Sequence, residues 1–248
     1  MFTLIIPCYG DHSDNLNDLV KSIDQQKTDF EVQCFFLEDK ISKDFRLKLE
    51  KLCSGPNNKF LVENNFGKRL FALKNICRFL DSYDWTVDPE IQETGEEDII
   101  GIIDGDDFLW GNDCLQNVKN EYDKGARVVW TANEWDKFGL NHSGPYENKN
   151  KDPYSHPWVS SHFRTFLLTD YFTVPKSNFK NEKGEWFEAC YDQALMLPIL
   201  HNVLKSGGRT KYIDRTHYIY RGNVKEESEF RKKQLEYESF IRTRGYLE

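Results

Sequence analysis

The sequence predicts a single-domain α/β protein with a mostly parallel central sheet flanked by helices. In the first hundred residues, short apolar runs alternate with segments in which apolar residues recur every three or four positions. Strands that alternate with helices pair in parallel, because each helix carries the chain back across one face of the sheet. The run at 99–103 shows no alternation of polar and apolar residues, which is typical of a strand buried on both faces. The 248 residues contain no linker and no second region of different composition, so one domain is expected.

The first half of the chain predicts four strands and three helices. Pro7 stops the first strand, and the second strand ends in Glu38 and Asp39. The third helix carries apolar residues in steps of three and four, as at Leu70, Leu73 and Cys77. The strands are expected at 2–6, 32–37, 60–62 and 99–103, and the helices at 16–25, 45–53 and 66–80.

The second half of the chain is less regular. Helices are expected at 114–122 and 186–200, and strands at 128–131, 211–213 and 218–220. The polar segment at 138–154 is long for a loop inside a compact domain, which favours a functional role. The charged tail at 224–242 predicts a helix that packs a stripe of Phe230, Tyr237 and Ile241 on the domain. Binding of a partner or of a membrane surface is the alternative for this helix.

Composition and charge exclude several classes of protein. The net charge of −8 and the pI near 5.4 argue against bulk electrostatic binding of nucleic acid or anionic lipid. No stretch approaches the roughly 20 apolar residues of a membrane span, and the N-terminus lacks the basic start of a signal peptide. The six cysteines are scattered without a metal-binding spacing, which predicts free thiols in a reducing compartment. We therefore expect a cytoplasmic protein, either free or peripheral to a membrane.

An acidic block follows the apolar run at 99–103. Asp104, Asp106 and Asp107 would repel one another at the end of a buried strand, and a divalent cation bound through oxygen ligands relieves such repulsion. Gly105 allows the tight turn that aims the side chains together. Because ligands of open α/β sheets bind at the carboxyl ends of the strands, the block predicts a metal-assisted ligand site. The alternative is an acidic helix cap, which needs fewer acids.

Four blocks at the ends of predicted strands follow one another in order. They are Leu4-Ile5-Ile6-Pro7-Cys8-Tyr9, Glu38-Asp39, Asn65-Phe66-Gly67-Lys68-Arg69 and Asp104-Gly105-Asp106-Asp107. In this order and spacing they resemble the glycosyltransferases of the GT-A fold, most closely the large family 2. The resemblance covers residues 2 to about 110. It implies a nucleotide-sugar-binding half at 1–110, an acceptor and catalytic half at 111–223, and a C-terminal helix at 224–248.

The activity implied by this resemblance is metal-dependent transfer of a sugar, as in a hexosyltransferase. The donor would be a nucleoside-diphosphate sugar, with UDP as the expected nucleotide, and the acceptor a hydroxyl of a glycan or another molecule. Pro7 and Tyr9 resemble the family's wall of the uracil pocket. Asp39 resembles the acid that accepts a hydrogen bond from the base, and Asn64 would shape the same pocket.

Basic residues are implied as further donor contacts. Lys68 or Arg69 would contact the base or the diphosphate, and Arg221 is a candidate diphosphate contact. A solvated first helical turn is the alternative for Lys68 and Arg69. That alternative is unfavourable because the N-terminal end of a helix carries a partial positive charge.

The resemblance also implies a set of metal ligands. Asp104 would accept a hydrogen bond from the ribose or reach the metal through water, and Asp106 would ligate Mg²⁺ or Mn²⁺ directly. His217 is placed as the late histidine that such enzymes often supply to the metal or the diphosphate, and imidazole suits Mn²⁺ better than Mg²⁺. A buried structural histidine is the alternative for His217.

The candidate catalytic base lies in the block 186–194. Asp192 matches the carboxylate that removes the acceptor proton in inverting members, although Tyr191 stands where the family usually has Glu. Neighbouring aromatic residues would desolvate Asp192 and make it a better base. Glu188, one helical turn earlier, is the rival base. An inverting reaction is expected if Asp192 is the base, and a retaining course stays open.

The segment 155–166, directly after the long polar loop, is dense in polar and aromatic groups. Trp158 could stack on a sugar, and His162 and Arg164 could bind the diphosphate or acceptor hydroxyls. The alternative is a strand with His162 satisfied in the core. The polar segment from 138 to 161 is expected to decide acceptor specificity.

Two other functions are compatible with the same residues. A nucleotidyltransferase that makes nucleotide sugars is one, but such enzymes open with a Gly-rich phosphate loop, and residues 7–11 contain one glycine. A non-catalytic module that binds a nucleotide or a sugar is the other. The acids at 104, 106 and 192 favour an enzyme over this module.

Overall fold

The computed structural model describes residues 1–10, 13–53, 60–63, 69–82, 97–146, 152–222 and 229–248. Its strands are β1 (Phe2–Gly10), β2 (Val32–Ile41), β3 (Phe60–Glu63), β4 (Ile99–Ile102), β5 (Phe108–Leu109), β6 (Ala126–Trp135), β7 (Arg164–Leu167) and β8 (Arg209–Tyr220). Its helices are α1 (Ser13–Asp24), α2 (Lys43–Cys53), α3 (Phe71–Ser82), α4 (Cys114–Asp123), α5 (Leu168–Phe172), α6 (Tyr191–Lys205) and α7 (Glu229–Arg244).

These strands form one sheet in the order β3-β2-β1-β4-β7-β6-β8-β5. The ladders β3-β2, β2-β1, β1-β4 and β6-β8 are parallel, whereas β7 is antiparallel to both of its neighbours and β5 is antiparallel to β8. The predicted mostly parallel sheet with flanking helices is confirmed. Both halves of the chain contribute strands to it.

The apolar core lies on both faces of the sheet, because helices cover both. On β1, Ile5 packs into a cluster with α3 and α6, whereas Leu4 and Ile6 pack into a second cluster with α1 and α4. Successive side chains of a strand point to opposite faces, so both sets must be apolar when both faces are covered. This explains the continuous apolar runs in the sequence.

Several elements begin or end away from their predicted bounds. The predicted helix at 186–200 begins only at Tyr191, since Cys190 has a φ of 57°, which a right-handed helix cannot contain. The predicted helix at 66–80 begins at Phe71, which has a φ of 63°; residues 66–68 lie outside the described residues. The two short strands predicted at 211–213 and 218–220 are one continuous strand, β8.

The parallel strands place several predicted side chains at one edge of the sheet. Tyr9 pairs with Asp39 across β1 and β2 near their carboxyl ends, and Asp104 lies two residues beyond the end of β4. This is the edge at which open α/β sheets bind ligands. Within the described residues, we find no helix with both the length and the apolar character needed to cross a membrane.

Candidate functional site

A pocket of about 330 Å³ opens at this edge of the sheet, a volume within the range of small-molecule sites. Residues from both halves of the chain line it. The predicted site residues in its wall are Pro7, Tyr9, Asp39, Arg69, Asp104, Asp106, His162, Arg164, Glu188 and Asp192. Asn64 and Lys68 lie outside the described residues.

One end of the pocket is formed by Tyr9, Asp39 and Arg69. The Arg69 guanidinium carbon lies 3.5 Å from the centroid of the Tyr9 ring and 4.1 Å from that of Phe71. Both oxygens of Asp39 accept backbone N–H groups at the start of α3, from Leu70 and Phe71, each at 2.8 Å. Asp39 therefore anchors α3, a structural function that the sequence analysis missed, and its Oδ2 lies 3.9 Å from Arg69 Nε.

The acidic turn packs directly against β1. A Cβ atom at Gly105 would lie 2.9 Å from both the Pro7 carbonyl oxygen and the Cys8 sulfur. The glycine is required by this close approach. The backbone N–H of Asp107 donates to the Asp104 carbonyl at 3.0 Å and closes the turn.

Asp107 stabilises the acidic turn through its buried side chain. It is fully buried, and its two oxygens accept the Tyr218 hydroxyl and the Arg221 backbone N–H, each at 2.8 Å. Burial raises the pKa of Asp107 well above its usual value, and the charges of Asp104 and Asp106 raise it further. The mutual repulsion expected from the sequence is therefore present.

Arg164 places a buried positive charge beside Asp104. Its side chain is 1% exposed, and its Nη2 lies 3.4 Å from Asp104 Oδ2 and 2.5 Å from the Tyr191 hydroxyl, to which it donates. Burial opposes this charge, but Tyr191, Asp104 and Asp192 together hold the pKa of Arg164 above its usual value. The position of Arg164 follows from its register on β7, opposite Ile102, the last residue of β4.

Tyr191 completes the contacts of Asp104 and links the turn to α6. Its hydroxyl donates to Asp104 Oδ1 while accepting from Arg164. Sequence reasoning treated Tyr191 as a departure from the family spelling and as an aromatic neighbour of Asp192, and it missed the contact with Asp104. Its partner is 87 residues away in the chain, so no local pattern could have revealed this contact.

His162 lies in the same cluster. Its ring stacks on Tyr218 and Tyr220, with centroid distances of 4.8 Å and 5.1 Å. Its Nδ1 lies 3.9 Å from Asp104 Oδ2 and 3.3 Å from Arg164 Nη1. Burial lowers the pKa of His162 well below its usual value, and Arg164 lowers it further, so the imidazole is neutral. Neutral imidazole is the form that ligates metals.

His217 does not join the acids, which corrects its predicted place as a metal ligand. It is fully buried, with Nε2 3.2 Å from Asn117 Nδ2 and Nδ1 3.4 Å from the Trp110 carbonyl oxygen. The physical reason is strand alternation, because His217 and Tyr218 point to opposite faces of β8, and Tyr218 faces the acids. The sequence shows this alternation but not which face of β8 lies beside the acids, and that choice depends on the tertiary structure.

The two candidate bases differ in their surroundings. Asp192, the second residue of α6, is partly buried. Burial raises its pKa, and Arg164 and the Gln193 backbone N–H act in the opposite direction. Glu188 is 39% exposed and forms an ion pair with Lys233 of α7. Asp192 is therefore the less solvated of the two and has no comparable ion pair among the described contacts.

Two predicted binding residues lie away from the described pocket wall. Trp158 packs against the apolar core. Arg221 lies behind the acidic turn, where its guanidinium donates to Asp18 at 2.5 Å and lies 4.5 Å from the Phe108 ring. The structure does not bring either side chain together with the residues that line the pocket.

The donor set fits a divalent cation. One ligand atom each from Asp104, Asp107 and His162 lie within 4.8 Å of one another, and Asp106 lines the pocket beside them. Carboxylate oxygens suit Mg²⁺ and Mn²⁺, and imidazole favours Mn²⁺. Asp104 and Asp106 together carry more negative charge than Arg164 neutralises, so a cation would relieve the repulsion.

Comparison with known proteins identifies the fold. No protein-family model and no curated protein matches the chain by sequence. S. aureus TarS 1–349 in complex with UDP-GlcNAc superposes with a TM-score of 0.62 at 13% identity, covering 100% of this chain and 68% of that one. The mannosyltransferase PcManGT from Pyrobaculum calidifontis, in complex with GDP-Man and Mn²⁺, superposes with a TM-score of 0.59 at 13% identity, covering 90% and 57%.

The length of the match differs among the neighbours. This chain spans 36% of one S. aureus TarS structure and 60% of another, with TM-scores of 0.60 and 0.58 at 15% identity. The chain therefore has the GT-A glycosyltransferase fold expected from the sequence.

Proposed function

We propose that this chain is a metal-dependent glycosyltransferase of the hexosyltransferase type that moves a sugar from a UDP-sugar to an acceptor hydroxyl. One observation carries the proposal: a single pocket joins the predicted nucleotide contacts, the acids that fit a metal and a partly desolvated carboxylate. Neighbours of the same fold were solved with UDP, UDP-GlcNAc, or GDP-Man and Mn²⁺. The cation of this chain would be Mn²⁺ or Mg²⁺.

The nucleotide would bind at the end of the pocket formed by Tyr9, Asp39 and Arg69. The Tyr9 side chain is 45% exposed and can stack on a base, and Arg69, which lies over the Tyr9 ring, can donate to the base or the diphosphate. Asn64 and Lys68 are proposed to complete this end. Residues 1–110 would thus form the nucleotide-sugar half of the pocket, and 111–223 the acceptor and catalytic half.

The diphosphate would lie beside the acidic turn. Asp104, Asp106 and His162 would hold the cation, with Asp107 fixing the turn beneath them. A bound cation supplies charge stabilisation to the leaving diphosphate, worth several kcal/mol in the transition state. Arg164 holds Asp104 in place and adds positive charge at this point of the pocket.

The acceptor hydroxyl would lose its proton to Asp192. Its oxygen would form the bond to the anomeric carbon as the bond from that carbon to the diphosphate oxygen breaks. Attack from the Asp192 side, opposite the diphosphate, inverts the anomeric centre. The low solvation of Asp192 supports its assignment as the base.

Calorimetric titration with UDP, in Mn²⁺ and in EDTA, tests the donor and metal assignments. We expect UDP to bind about tenfold more tightly with Mn²⁺, a change of about 1.4 kcal/mol. Asp106→Ala should abolish the difference, and Asp136→Ala, at an exposed acid outside the pocket wall, should retain it. Equal affinity in EDTA would contradict the metal assignment.

Hydrolysis of a panel of UDP- and GDP-sugars tests catalysis without a known acceptor. We expect slow release of UDP from one UDP-sugar. Binding of UDP without hydrolysis or transfer from any sugar in the panel would identify a non-catalytic binding module instead.

A further inference from the structure

Helix α7 is fixed on the protein through one of its faces. Ile241 is almost fully buried, and the Tyr237 ring lies 5.2 Å from that of Phe187. Gln193, the residue after the proposed base, donates to Glu238 and accepts from Arg242, each at 2.8 Å. The C-terminal turns of α7 are therefore anchored to the start of α6.

The same face continues at the N-terminal end of α7. Positions 230, 233 and 234 precede 237 and 241 by helical steps of three and four, so they share that face. Lys233 pairs with Glu188, and Phe230 and Gln234 line the pocket. Phe230 is nevertheless 54% exposed, because the N-terminal end of this helix face extends beyond the packed core and borders the pocket.

The pocket surface formed by this end of α7, the residues before α6 and the first turn of α6 has a distinct chemistry. It combines an aromatic face (Phe230), an amide (Gln234) and two carboxylates (Glu188 and Asp192). Sugars present C–H faces that pack on aromatic rings, and hydroxyls that bond to amides and carboxylates. An anionic acceptor would instead be repelled by Asp192, and the nearby Lys233 ammonium is already engaged by Glu188.

We infer that Phe230 and Gln234 form a subsite for the acceptor, and that the acceptor is a neutral sugar. The inference rests on the proposed function, and it names the acceptor class and the residues that select it. The Phe230 ring packs on the apolar face of the acceptor sugar, and Gln234 bonds to its hydroxyls. This holds a further hydroxyl toward Asp192.

Saturation-transfer NMR with neutral methyl glycosides tests the subsite, in the presence of UDP and Mg²⁺. We expect at least one methyl hexoside or methyl N-acetylhexosaminide to bind. Phe230→Ala should weaken it about tenfold, and Phe230→Trp should retain binding because the aromatic face is kept. Leu235→Ala is the matched control, since Leu235 lies on the same helix, is 49% exposed and is not in the pocket wall.

The outcomes separate the two claims. Absence of UDP binding to the wild-type chain contradicts the proposed function. If UDP binds but no neutral glycoside does, the subsite is wrong. It is equally wrong if Phe230→Ala binds the glycoside as wild type does, or if hexose 6-phosphates bind more tightly than neutral glycosides. Thermal unfolding of each variant shows whether it is folded, which Phe230→Ala should be because the ring is exposed.

Discussion

Asp104 is the residue at which the two parts of the pocket meet. Its Oδ1 accepts the Tyr191 hydroxyl from α6, and its Oδ2 faces Arg164 from β7. Tyr191 is neutral, so it adds no further carboxylate to this cluster. A hydroxyl also bridges Asp104 and Arg164, which a glutamate could not do, since a carboxylate would repel Asp104.

Asp192 and Glu188 can be separated as bases by amide substitution. Asp192→Asn should lower kcat about 10² to 10⁴-fold, because general-base catalysis is lost while the side chain keeps its shape. Glu188→Gln should cost less than tenfold, since Glu188 is paired with Lys233. Steady-state kinetics with saturating donor and acceptor make the comparison. A larger loss for Glu188→Gln would assign the base to Glu188.

If Asp192 is the base of the proposed transfer, the pH dependence of the rate follows from its pKa. Burial raises this pKa above the usual value, and the base acts only when ionised. The rate of the proposed transfer should therefore fall as pH decreases through the raised pKa, at a higher pH than for an ordinary aspartate. The profile of kcat against pH measures this. A profile that is flat down to the usual aspartate range would contradict it.

At the scale of elements, the antiparallel strand β7 does most to build the site. It lies between β4 and β6, and its register sets Arg164 opposite Ile102 and Trp130. The residue before β7, Phe163, packs its ring on Gly101 of β4, where an added Cβ would lie 2.7 Å from the ring. Close packing of β4 under Phe163 therefore keeps His162 and Arg164 at the acidic turn.

Gly101→Ala tests this packing. We expect a loss of about 1–3 kcal/mol in the free energy of unfolding, because the added methyl overpacks a filled core. Gly144→Ala is the matched control, since a Cβ there meets only Val159, at 3.8 Å, and its effect should be small. Urea unfolding measures both. Equal stability of the two variants would show that the core around Phe163 can relax to accept a methyl group.

At the scale of the whole molecule, one sheet and one pocket draw on the full length of the chain. Strand β1 pairs with β2 on one side and with β4 on the other, and the strands of the second half continue the sheet beyond β4. The pocket wall extends in sequence from Pro7 to Gln234. Loss of either part would therefore remove the ligand site as well as sheet pairing.

Thermal unfolding with and without donor tests whether the two halves of the chain unfold as one cooperative unit. A single transition is expected, and UDP with Mn²⁺ at a hundred times its Kd should stabilise the folded state by about 2.7 kcal/mol. Asp106→Ala should reduce the stabilisation that depends on Mn²⁺. Two separate transitions, of which only one responds to the ligand, would show that the halves unfold independently.

Local sequence patterns were enough to predict the α/β fold, the positions of the first strands along the chain and the acids at their carboxyl ends. Those features depend on local periodicity and on the rule that parallel strands end at one edge. The sequence could not determine that His162, and not His217, lies beside Asp104, or that Tyr191 bonds to that acid.

The positions of His162, His217 and Tyr191 relative to Asp104 could be established only from the three-dimensional structure, because each depends on contacts between residues far apart in the chain. The register of β7 against β4 directs Arg164 to Asp104, and the face that β8 presents turns His217 away from the acids. The residue at which α6 begins also depends on tertiary packing. Cys190 is buried in the core in a left-handed conformation, and this sets Tyr191 and Asp192 on the first turn of the helix that faces the pocket.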